Sequence, residues 1–173
     1  MGEIDLKRSN ALSEIISHTP TWVFIVFFTL LVLGFMQTKE RIVNVKAVFI
    51  LPIAMVIFSF MGVYSVFNLS FLPLALWLLG LISTSVVGIK LGIPKSVSYS
   101  AQDEKLTIPG SKVPLMFMMA IFFTKYFVGF AVARDLPLIH GFNFLIIISL
   151  AYGIFSGIFL SRSIVMFKVS QSR

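Results

Sequence analysis

Residues 114–133 read PLMFMMAIFFTKYFVGFAVA. The run is apolar almost throughout, with a single cation, Lys125, near its middle. At 1.5 Å per residue, a helix of about twenty residues is ~30 Å long, the hydrocarbon thickness of a bilayer. A lysine at that depth costs at least ~2.5 kcal/mol on insertion scales. Lys125 is therefore expected to face protein or a wet cavity, and the other apolar segments must supply its shelter.

The rest of the chain agrees with this reading. Of its 173 residues, 58% are hydrophobic and 12% charged, about half the ~25% charge of a soluble domain. That composition defines a multi-pass membrane protein, read as one integral domain over 1–173. There is no cysteine, which removes disulfides, thiolate metal sites, iron–sulfur clusters and cysteine nucleophiles. The N-terminus mixes Glu3, Asp5 and Glu14 with Lys7 and Arg8, and no small-residue cleavage site follows the first apolar run, so no cleaved signal peptide is expected.

Leu12, Ile15 and Ile16 share one helical face and predict a short interfacial helix over Asn10–Ser17. Five transmembrane helices follow, at about 20–37, 45–66, 71–91, 114–133 and 142–160. Thr19 is a candidate N-cap for the first, Pro20 fits its first position and Trp22 is an interfacial anchor. With little but Thr29 and Gly34 to interrupt its apolar surface, this helix should lie on the lipid-facing outside. Residues 38–46 read as a charged turn, and Pro52 should kink the second helix. Gly80, Thr84, Gly88 and Gly92 form a small-residue ridge on the third, and Ser149, Gly153, Gly157 and Ser161 form another on the fifth. Such ridges let backbones approach closely, within one chain or across a homodimer. Between helices three and four, 96–108 alternates in character around a polar centre and predicts a small β-hairpin.

The basic residues orient this bundle. With the N-terminus outside, cytoplasmic segments hold Lys39, Arg41, Lys46, Lys90, Lys95, Lys105, Lys112, Arg162, Lys168 and Arg173, against Lys7, Arg8 and Arg134 outside. The expectation is N-out, C-in, with the hairpin in the cytoplasm. The net charge of +7 is then a topology signal and calls for no nucleic-acid partner.

The stretch His18-Thr-Pro-Thr-Trp-Val-Phe24, the basic turn before a Pro-containing helix, Pro109-Gly-Ser-Lys-Val-Pro-Leu115 and the pair Lys125-Tyr126 resemble a family of small bacterial multi-pass proteins of unknown function. Its members often carry Arg-Tyr where this chain has Lys-Tyr. A more distant resemblance is to membrane proteins named for cytochrome c biogenesis. The family resemblance implies five helices in a bacterial inner membrane and brings no chemistry with it.

Lys125 and Tyr126 are the leading functional candidates. No acid falls within a predicted span, so the partner of Lys125 must be a hydroxyl, a carbonyl, water, a loop acid or an anionic ligand. Ser59, Tyr64, Thr84, Ser85, Ser149, Tyr152 and Ser156 could supply the polar core. Lys125 then either ties helices together or marks a site for an anionic or quinone-like small molecule, or a proton path. His18 and His140 at the external boundary are haem candidates, though interfacial helix capping accounts for both. Met116, Met118 and Met119 read as core or lipid contacts, and Asp103-Glu104 as a solvated turn pair. No phosphate loop, nucleophile elbow or metal signature is present. The function expected is a non-enzymatic accessory or small-solute-binding membrane protein without a cofactor. A small oligomeric transporter or channel is the alternative, and a haem- or quinone-associated redox subunit the second. The partners expected are the lipid bilayer and a homo-oligomer or membrane complex.

Overall fold

A computed structural model describes residues 20–100 and 102–171. The predicted interfacial helix at 10–17 and His18 lie outside those residues. Among the described residues the chain is mostly helical, with five α-helices and one small sheet. Helix α1 is Thr21–Met36 and α2 is Ile50–Phe67, entered through a 3-10 turn at Val45–Phe49. Helix α3 is Phe71–Leu91, α4 is Val113–Ala133 and α5 is Phe142–Gln171. The strands are β1, Arg41–Asn44; β2, Ser98–Ser100; and β3, Lys105–Ile108.

Among the described residues, four segments are long and apolar enough to cross a membrane: Val45–Phe67, Phe71–Leu91, Val113–Ala133 and Phe142–Gln171. The fifth, α1, has 16 residues, or ~24 Å of helix. It is shorter than the span predicted for it. Its outer face, with Ile25, Phe28, Val32 and Phe35, is exposed. Its inner face rests on α4, where Gly34 lets the Leu115 backbone approach and Phe27 meets Phe122 with ring centroids 5.1 Å apart. Exposed large apolar side chains ring the other helices too, among them Ile57, Leu79, Ile82, Phe123 and Ile147, while several serines are buried. A soluble monomer avoids so extensive an apolar exterior.

The two small-residue ridges pack on each other within the chain. A Cβ on Gly80 would meet the Leu150 carbonyl oxygen, one on Gly153 the Trp77 carbonyl, and one on Gly157 the Leu81 carbonyl and Thr84. Helices α3 and α5 therefore touch backbone to backbone and make the most extensive contact in the molecule. Gly92 stands apart from this ridge: at φ +61° it caps α3, where its left-handed backbone lets its N–H reach the Ile89 carbonyl.

Two expectations need correction. The charged turn at 38–46 contains a strand, so the hairpin becomes a three-stranded antiparallel sheet in the order β1-β3-β2. Arg41 pairs with Ile108 and Asn44 with Lys105, while Ser98 pairs with Thr107 and Ser100 with Lys105. Helix α5 does not stop at 160 but continues to Gln171, because its last turns pack against the sheet. Met166 joins Val48, Leu106 and Ile108 in one apolar cluster, and Ser163 Oγ donates to the Val48 carbonyl at 2.8 Å. Pro52 lies where the 3-10 turn Val45–Phe49 has just given way to α-helix; lacking an N–H, it cannot donate to the Val48 carbonyl four residues back, and Ser163 Oγ donates there instead.

Candidate functional site

Lys125 projects from the middle of α4 and is half-buried. Its Nζ stands 3.6 Å from the centroid of the Phe58 ring on α2. The expected hydroxyl or carbonyl partner is replaced by an aromatic face, whose negative quadrupole attracts the ammonium. A Cβ on Gly62 would lie 3.0 Å from both Lys125 Cε and the Tyr152 ring. The glycine thus opens α2 so that the lysine stem and the buried tyrosine of α5 can share its surface. Among the described residues no acid pairs with Lys125.

Next to this cation lies a hydroxyl cluster. Ser59 Oγ is 2.5 Å from Ser156 Oγ and accepts from Trp77 Nε1 at 3.1 Å. It also reaches the Val56 carbonyl at 3.1 Å. These groups satisfy one another at complete burial of both serines, which binds α2, α3 and α5 together. Ser149, one turn before Tyr152, is equally buried, and its Oγ has no hydrogen-bond partner.

The other candidates disperse. Thr84 packs on Gly157 at the α3–α5 contact, and neighbouring Ser85 donates to the Gly157 carbonyl at 3.3 Å. Tyr126 stacks on Phe122, centroids 6.4 Å apart, on a different side of α4 from the Lys125–Phe58 pair. Tyr64 is exposed. His140 Nε2 lies 3.0 Å from Asp135 Oδ1, both at the surface; the second haem candidate, His18, is outside the described residues.

A second polar cluster, at the sheet end, was not foreseen from the sequence. Gln37, at the end of α1, and Arg162, on α5, are each 7% exposed. Arg41 Nη2 donates to Gln37 Oε1 at 3.0 Å, while Arg41 Nε is buried with no acceptor. The packing brings Arg41 and Arg162 to one level: Ile108, which pairs with Arg41, clusters with Met166, one turn beyond Arg162. Burial lowers the Arg41 guanidinium from its ordinary value, though an arginine still stays charged. The sequence signal was the cation of Ser161-Arg162-Ser163 directly after the apolar run, read only as a topology mark. Phe58 and Trp77 carried no signal, since nothing in a phenylalanine-rich span marks one ring as a cation's partner.

Fold and site together define a small helical protein of membrane-spanning composition, capped at one end by a sheet. Residues 4–173 match the family of unknown function DUF6622, and the chain belongs to it. This agrees with the resemblance to a family of unknown function; the link to proteins named for cytochrome c biogenesis is not supported. No curated protein and no solved structure matches the chain.

Proposed function

We propose that this is an integral protein of a bacterial inner membrane, N-terminus in the periplasm and sheet in the cytoplasm. In this reading it acts without catalysis, as an accessory protein that holds a small anionic or quinone-like solute against Lys125. One observation carries the reading. An ammonium stands at mid-helix depth on the Phe58 ring, with no anionic partner among the described residues. An aromatic face offsets only part of the cost of a buried charge, and an anionic or strongly accepting group completes it. The serines beside it hydrogen-bond to each other and to Trp77, which favours a fixed wall over a hydrated path. Charge distribution supports the orientation: Lys39, Arg41, Lys46, Lys90, Lys95, Lys105, Lys112, Arg162 and Lys168 gather at the sheet end, and Arg134 lies at the other.

The test is native mass spectrometry of gently extracted protein. The wild type and Lys125→Arg should retain a small molecule that Lys125→Gln loses, with all three melting within a few degrees of one another. Identical spectra and identical melting for all three would leave Lys125 a purely structural residue.

A further inference from the structure

The cluster at the sheet end has no place in the reading above. Arg162 is 7% exposed, yet among the described residues its guanidinium has neither a hydrogen bond nor an ion pair. Arg41 lies at the same level: its strand partner Ile108 packs on Met166, one turn beyond Arg162, and its own Nε is buried without an acceptor. Gln37, also buried, receives one Arg41 donor and orients that guanidinium. The acids at this end do not intervene. Glu40 is exposed and pairs with neither arginine, and Asp103 and Glu104 lie in the exposed β2–β3 turn. Two cations held together and partly withdrawn from water, with no counter-charge among the described residues, repel each other at a cost. Arg41 Nε and the Arg162 guanidinium keep donors that no described residue accepts from.

We propose that Arg41, Arg162 and Gln37 form a binding site for a phosphate-type oxyanion. Guanidinium forks match phosphate oxygens in geometry and bind them by paired, charge-assisted hydrogen bonds. Helix α5 places the site at a particular level: Arg162 follows Phe142 by about twenty residues, ~30 Å along the helix, which is the far boundary of a hydrocarbon core. Phospholipid phosphates lie at that level and free phosphate reaches it from the aqueous side. The Gln37 carbonyl accepts from Ser111 N–H at 2.9 Å, which brings the loop carrying Lys112 alongside the turn carrying Lys39. Both lysines add positive potential at this end of the molecule.

The full chain, purified in neutral detergent, is tested with two probes. One is inorganic phosphate against chloride at equal ionic strength. The other is dioleoylphosphatidylglycerol against phosphate-free dioleoylglycerol in mixed micelles. At least one probe should raise the melting temperature, and native mass spectrometry should show the adduct. A response to the lipid alone assigns a headgroup, and to phosphate alone a soluble anion. Arg162→Met and Arg41→Met should each weaken binding at least ~10-fold, while Lys105→Gln and Lys168→Gln, both at exposed positions, should not. Without ligand, Arg162→Met should melt no lower than wild type, because it removes the repulsion; if it fails to fold, Arg41→Met carries the test. A wild type that responds to neither probe overturns the proposal. So does equal loss of binding in the surface-lysine variants, which would reduce the effect to general surface charge.

Discussion

Ser59 and Ser149 are chemically identical, fully buried and on facing helices. Their hydroxyls nevertheless have opposite worth. Ser59 Oγ meets Ser156 and Trp77 Nε1, so Ser59→Ala strands two buried polar groups and should destabilise by ~1–3 kcal/mol. Ser149 Oγ has no partner, so Ser149→Ala removes an unsatisfied hydroxyl and should leave stability unchanged or raise it by ~1 kcal/mol. Thermal unfolding of both variants in one detergent checks the pair; a lower melting point for Ser149→Ala would show that its hydroxyl is bonded after all. Legibility at this scale was partial. That Lys125 needs shelter followed from its place in an apolar run. That the shelter is a ring, and that Gly62 makes room for it, did not follow. A glycine's role depends on what a neighbouring helix brings to it, and one helix's sequence does not contain that.

At the scale of elements, the small-residue ridges were readable because period four on a helix is a geometric statement about one face. The structure sharpens the prediction drawn from them. Gly153 faces the Trp77 carbonyl, while Gly129 on α4 has open space around it. Gly153→Ala should therefore cost ~1–3 kcal/mol by overpacking, and Gly129→Ala should be neutral or stabilise by up to ~1 kcal/mol through helix propensity. Equal melting of the two variants would mean that α3 and α5 are not in backbone contact. Strand β1 was hidden for a physical reason. Four residues, Arg41-Ile-Val-Asn44, flanked by charges, form a strand only because β3 supplies the hydrogen bonds, and that pairing is non-local. The end of α5 was misplaced for a related reason: an apolar-run criterion stops at Leu160, whereas the last turns are held by protein rather than by lipid.

For the whole molecule, the separation of charge between the two ends is the observation with the widest reach. A reporter active only in the periplasm should be silent when fused at Arg173 and active when fused at Leu138. The reverse pattern would sink the N-out orientation and move the arginine pair to the opposite face of the membrane. The sheet adds a consequence for how the molecule is assembled. Its central strand, β3, is synthesised after both of its neighbours, so β1 leaves the ribosome with an unpaired edge and waits for the third connection of the chain. The main contact of the bundle, α3 with α5, likewise awaits the last helix. A chain cut in the turn after Gly92 separates β1 from β3 and α3 from α5, and leaves each half holding one side of both contacts. Two such halves produced together should recombine into a complex that purifies through a tag on either one.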